Sequence, residues 1–330
     1  MNRRPAAAGT SGPKASTVST PQSLALPPAG DAVLLVVGLA GVASSGPLIA
    51  ATAAPALAIA FWRNALGAAV TGAVALARNR TDVRALDRRG WFLCVGAGLF
   101  LAVHFGTWVP SLTMTTVATS TALVATQPVS AALIARVRGQ RLPGRAWCGI
   151  AVAVGATVFV TGLDVGASAR AVTGDLLALI GGAAAAFYVS IGAAARTRMT
   201  TAVYTTVCYS TCALTLLLAC LLGGQRLHGF SADAWLKIVA VTVVAQLLGH
   251  TLFNVVLRST SPTVLSLALL FEVPGAAVIA YVALHQHPKP TLWLGVVLLL
   301  AGLALVVSVR TQRDGVPAVG LPDLPAGEPR

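Results

Sequence analysis

The stretch LALLFEVPGAAVIAYVAL, residues 267–284, contains one charged residue, Glu272. Between residues 242 and 302 the only other formal charges are the basic residues Arg258 and Lys289. A helix needs about 20 mostly apolar residues to cross a bilayer. The surrounding run meets that length with a carboxyl group near its centre.

The rest of the chain has the same character. Of its 330 residues, 56% are hydrophobic and 10% are charged, and the mean hydropathy is +0.80. Soluble domains carry about 25% charged residues, so the composition describes an integral membrane protein. Ten apolar runs can be drawn, roughly 32–51, 55–77, 91–110, 114–136, 146–163, 175–195, 202–222, 235–257, 262–284 and 291–309. Residues 1–29 are small, Pro-rich and lack the apolar core of a secretory signal, so they are expected to be a disordered tail, as are residues 310–330.

Positive charge tests the count of runs. The N-terminal tail and the connections after runs 2, 4, 6, 8 and 10 carry 18 Lys and Arg residues, and the intervening connections carry four. The remaining cation, Arg63, lies inside run 2. This alternation predicts ten transmembrane helices with both termini cytoplasmic. Because the basic residues sit in short loops between apolar runs, the net charge of +13 does not describe a nucleic-acid-binding protein. Arg outnumbers Lys 20 to 3, which fits a GC-rich bacterial genome and hence a bacterial inner membrane.

The two halves repeat. At an offset of 146 residues, His104 matches His250, Pro128 matches Pro274, Gln140 matches Gln286, Trp147 matches Trp293 and Gly149 matches Gly295. The dipeptide Gly-Asp opens each half, at residues 30–31 and 174–175. Five runs per half is an odd number, so the second half is inverted relative to the first. The predicted fold is all-α, with ten transmembrane helices as two inverted five-helix repeats, 30–163 and 174–309. In such folds the solute site lies near the midplane between the repeats.

Polar residues inside the runs are the site candidates. Glu272 is near the centre of run 9, where a charge costs at least ~2.5–3.5 kcal/mol on insertion scales. Either its carboxyl is protonated or it has a partner. Pro274 removes a backbone donor and crowds the carbonyl of Leu270, so the helix is expected to break there. In run 4 the equivalent position is Thr126, beside Gln127 and Pro128, and Pro128, like Pro274, is expected to break its helix. Thr116, Thr119, Ser120 and Gln127 share one helical face, which either lines a cavity or glues helices together. His104 is placed towards the outer end of run 3 and His250 towards the inner end of run 8, at opposite depths. Arg63 either snorkels to the interface, receives a substrate carboxylate, or pairs with Glu272. Asn64 and Asn254 are further polar candidates. Cys208 and Cys212 are too sparse for a metal site, His285 and His287 supply too few ligands, and no cofactor is implied. Gly149 with Gly155, and Gly295 with Gly302, are expected to allow close helix contact.

The sequence resembles the drug/metabolite transporter superfamily, specifically its EamA-type members. The resemblance rests on APALAIAFWRNALGA (54–68), HFGTWVPSLTMTTVATSTALVATQPVSAAL (104–133) and GHTLFNVVLRSTSPTVLSLALLFEVPGAAVIAYVAL (249–284), and spans about residues 30–310. It implies transport of small metabolites, amino acids or drug-like compounds, often driven by an ion gradient. The chain departs from the family pattern in having Gln140 and Gln286 where Glu is usual, and Val273 between Glu272 and the proline. The expected partners are a small-molecule solute and the lipid bilayer; a homodimer is left open. A flippase for an amphipathic substrate and a non-transporting scaffold or receptor are the competing readings. An intramembrane enzyme is disfavoured, since the two histidines are placed at opposite depths and no paired carboxylates or His-rich motif accompany them; ATP hydrolysis is disfavoured because no GxxxxGK[ST] loop is present.

Overall fold

The computed structural model describes residues 27–84, 86–115, 117–139, 142–161, 168–284 and 291–308. Thr116, Gln140, Gln286, the HQHP segment (285–288) and most of both tails lie outside them. The described residues form helices and short connections, without strands.

In the first half the helices are α1 (Ala29–Ala43), α2 (Ser45–Ala50), α3 (Ala56–Arg78), α4 (Arg80–Arg84), α5 (Arg88–Ser111), α6 (Val117–Val124), α7 (Gln127–Val137) and α8 (Gly144–Thr161). The second half holds α9 (Ala169–Arg196), α10 (Thr201–Leu222), α11 (Ala232–Val241), α12 (Thr251–Val256), α13 (Pro262–Ala268), α14 (Glu272–Leu284) and α15 (Thr291–Ser308). A π-helical stretch, Thr242–His250, joins α11 to α12, and a 3₁₀ turn, Leu269–Phe271, joins α13 to α14. Several helices begin at a side chain that accepts an otherwise orphaned N–H: Asp87 from Gly90 (2.7 Å), Ser231 from Ala234 (3.2 Å) and Ser261 from Val264 (3.3 Å).

Among the described residues, six helical segments are long and apolar enough to cross a membrane: 29–50, 56–78, 88–111, 169–196, 201–222 and 232–256. Large apolar side chains such as Val33, Val36, Leu214, Leu218, Leu221 and Val297 face outward, as lipid contact requires. The runs drawn as continuous in the sequence are often interrupted. Run 1 breaks at Ser44, run 4 at Ala125–Thr126, run 8 changes to π-helix and run 9 to a 3₁₀ turn. Hydropathy cannot locate these breaks, because the residues on both sides are equally apolar.

The halves interlock pairwise. Helix α5 packs along α9, and α1 packs against the π-stretch and α12; exchanging the halves turns one contact into the other. Helix α3 packs along α10 and α8 along α15, each pairing equivalents across the halves, and α7 packs against α13, joining the equivalent runs 4 and 9. Glycines permit the closest approaches. A Cβ on Gly41 would lie 2.4 Å from the Val244 carbonyl oxygen, and one on Gly302 would lie 2.7 Å from the Gly149 carbonyl oxygen. Gly155 has open space around it and is not part of such a contact.

Candidate functional site

The interrupted helices meet around a small, partly open cavity of about 40 Å³, enough for a few water molecules. Its wall includes Ser45, His104, Gln127, Tyr188, His250, Asn254 and Glu272, together with Trp108, Phe253 and aliphatic residues. Both halves of the chain contribute. The breaks put these side chains there: Gln127 opens α7, Glu272 opens α14, and His250 ends the π-stretch.

The polar partners differ from residue to residue. The Gln127 amide nitrogen donates to the Ser266 hydroxyl at 2.8 Å, which ties α7 to α13. His104 Nδ1 lies 3.0 Å from the Gly181 carbonyl oxygen. A carbonyl only accepts, so Nδ1 carries the hydrogen and Nε2 is left with a lone pair in the neutral ring. The Asn254 amide nitrogen donates to the Tyr188 hydroxyl (2.7 Å) and to the His250 carbonyl (2.8 Å), while Asn254 Oδ1 is buried without a partner. Trp108 Nε1 is likewise buried and unpartnered.

Arg63 is fully buried on α3 and does not snorkel. Its Nε donates to Gln246 Oε1 and its Nη1 to Ser45 Oγ, both at 3.0 Å. Gln246 in turn donates to Asn64 Oδ1 at 3.1 Å. The guanidinium carbon sits 4.3 Å from the centre of the Phe105 ring, a cation–π contact. Nη2 is buried without a partner. Among the described residues Arg63 forms no ion pair with Glu272. Ser45 therefore stands between the cation and the cavity, bonded to the first and lining the second.

The histidines overturn an expectation. Their rings are 6.3 Å apart, centre to centre, and share one aromatic cluster with Phe105, Trp108 and Tyr188. Opposite depths hold only for straight, regular α-helices perpendicular to the membrane. The π-stretch that ends at His250 climbs less per residue than an α-helix, and the Gly38–Gly41 face of α1 packs directly against it. Position along a run is thus not depth.

Of the remaining candidates, Ser120 bonds the Ser111 hydroxyl at 2.6 Å and holds α6 to α5. Thr119 is also buried, and neither residue reaches the cavity wall. Ser45, Gln246 and Tyr188 belong to the site and were not singled out by sequence. Gln246 could have been, since it is an amide in an apolar run, the same signal that marked Gln127 and Asn254. Among the described residues no three His, Cys, Asp or Glu side chains group as metal ligands.

As a chemical environment the cavity wall combines a carboxyl (Glu272), two amide side chains (Gln127, Asn254), a hydroxyl (Ser45) and two imidazoles (His104, His250) with aromatic and aliphatic residues. That suits a small solute with both polar and apolar parts, once the cavity widens.

The EamA-like transporter family model matches this chain twice, over residues 30–162 and 172–308. No curated protein matches it. A solved crystal structure superposes with a TM-score of 0.68, covering 86% of this chain and 98% of its own, at 20% identity. That likeness supports the fold alone.

Proposed function

We propose that this chain, which belongs to the EamA-like transporter family of the drug/metabolite transporter superfamily, is a secondary active exporter of small metabolites, amino acids or drug-like compounds. It works by alternating access in a bacterial inner membrane, with ten helices, two inverted repeats and both termini cytoplasmic, and performs transport and not catalysis. The observation that carries this reading is the cavity walled jointly by His104 and Gln127 of the first half and His250, Asn254 and Glu272 of the second. A solute site between two repeats is where rocking of one against the other exchanges access. The symmetric pairing of helices across the halves supports the same motion.

In this mechanism Glu272 is the coupling group. It is a carboxyl at the cavity wall with no hydrogen bond or ion pair to another described residue. A proton taken up there on one side and released on the other would link solute movement to a pH gradient. Arg63 is the fixed cation beside the site. Its unpartnered Nη2 gives it a vacant donor for a solute carboxylate once Ser45 shifts. The test is flux of a mixed amino-acid and metabolite pool in proteoliposomes under an imposed pH gradient, comparing the wild type with Glu272→Gln. Gradient-driven movement of a solute that the variant loses is the expected result. An unchanged pH response in the variant would make Glu272 structural.

A further inference from the structure

Arg196 is the last residue of α9 and is 1% exposed. Such a buried cation normally has a carboxylate partner. The ion pairs of the described residues, Arg198–Asp87 and Lys237–Asp233, do not involve it. Its guanidinium is held by backbone carbonyls instead. Nε donates to the carbonyl of Asn254 at 2.9 Å and Nη1 to the carbonyl of Met199. These two residues face different spaces. Asn254 lines the central cavity. Met199 lines a surface cleft of about 580 Å³ whose wall also includes Asp82, Asp87, Arg198 and Arg258. Arg196 thus bridges the cleft wall and the cavity wall across the thin layer that separates them.

We infer that Arg196 is the latch of a gate between the cleft and the solute cavity. The inference rests on the transporter reading for the meaning of the gate, and on geometry alone for its position. Helix α9 grips Asn254 twice, through Arg196 at its backbone and through the Tyr188 hydroxyl at its side chain. Parting α9 from α12 would break both contacts. The released guanidinium would enter the widened cleft and hydrate there, so its loss of carbonyl partners would be offset by water. Both states are then accessible to a strongly hydrogen-bonding cation, as a two-state element requires. The position at the C-terminus of α9 favours the cation in the closed state. The planar fork reaches two carbonyls at once; a lysine keeps the charge but not the fork. Outside the layer, Asp87 pairs with Arg198 at 3.9 Å, an exposed contact that adds little hold.

A native reporter lies at this latch. Cys94 is fully buried, and its Sγ is 3.3 Å from Met199 Sδ. Cys220, also buried, lies at the opposite end of α10. The test labels the intact chain in inside-out and right-side-out vesicles with a membrane-impermeant maleimide and follows each cysteine by peptide mass spectrometry. Arg196→Ala should speed Cys94 labelling from the cytoplasmic side about tenfold, the effect of a ~1.4 kcal/mol shift in the gate equilibrium. Arg196→Lys should give a rise of about threefold by the same relation. Cys220 should be unchanged in both. Unchanged Cys94 labelling in both variants would overturn the latch, as would a parallel rise at Cys220, which marks general loosening. If Arg196→Ala does not fold, the lysine variant decides by the same two criteria. Labelling needs no solute, so a failed flux assay with side-selective labelling would sink the transporter reading and leave the gate. Flux without the Cys94 response would do the reverse.

Discussion

Helices α6–α7 and α13–α14 are the same device built twice, with different chemistry at the break. Each interruption comes just before a proline, at Ala125–Thr126 ahead of Pro128 and at Leu269–Phe271 ahead of Pro274. Each places a polar side chain on the cavity wall. In the first, Gln127 is neutral and spends its amide nitrogen on Ser266. In the second, Glu272 is ionisable and has no hydrogen bond to another described residue. A symmetric scaffold carries an asymmetric site. The second half holds the group that can change charge, and the first half holds a group that fastens the two halves together.

The sharpest way to break this contrast is to remove the carboxyl. Glu272→Gln should lower gradient-driven flux by about 5- to 150-fold, the range of a coupling free energy of ~1–3 kcal/mol. Downhill exchange of the same solute in proteoliposomes should persist. Moving the acid, with Gln127→Glu added to Glu272→Gln, tests whether the halves are interchangeable. A partial return of the gradient response would show that cavity position matters more than the half that supplies the acid; no return would tie coupling to the α14 break.

Arg63 gives the next largest effect because it belongs to neither break and binds across both halves. Arg63→Met leaves Ser45 Oγ and Gln246 Oε1 without their donor. Hydrogen bonds to a charged group are worth ~1.5–3 kcal/mol, and thermal unfolding in detergent should show a loss of that order. Arg63→Lys should recover part of it. A methionine variant as stable as wild type would mean that these bonds are not what fixes the cation.

The sequence made the class and the repeat legible, and it singled out Glu272, which lies on the cavity wall; each signal depends on rarity: a lone acid in an apolar run, or a match at constant offset. It did not reveal the break at Ser44 or the π-stretch, because apolar residues read alike whether the backbone is α, π or turn; the break at Ala125–Thr126 lies beside Pro128, where a proline marks it. That blindness produced the error about His104 and His250, which were assigned opposite depths and in fact have rings 6.3 Å apart. It also hid Ser45, which becomes significant only when Arg63 reaches it. Side chains that line a site by virtue of an irregular backbone have no periodic signature.

Gln127→Leu should have a smaller effect. It removes one neutral hydrogen bond and leaves Ser266, 1% exposed, without that partner. The cost should be about 1 kcal/mol in unfolding measurements, with the pH dependence of flux retained. A loss of pH dependence equal to that of Glu272→Gln would erase the distinction between the halves.

The smallest effect is expected from the prolines themselves. Pro128 is the second residue of α7 and Pro274 the third of α14, within first turns whose N–H groups have no intrahelical partner. Pro128→Ala therefore frees no carbonyl that the helix was using. The break before it has other supports. The Thr126 hydroxyl donates back to the Leu123 carbonyl at 2.7 Å, and the Val129 N–H bonds the Thr126 carbonyl at 3.0 Å. Gln127 remains anchored to Ser266 across the gap between the halves. Alanine at either position should then change stability by no more than about 1 kcal/mol, with flux near wild type. A large gain in stability with loss of transport would mean that the prolines, and not the packing around them, hold the two helices open at the cavity.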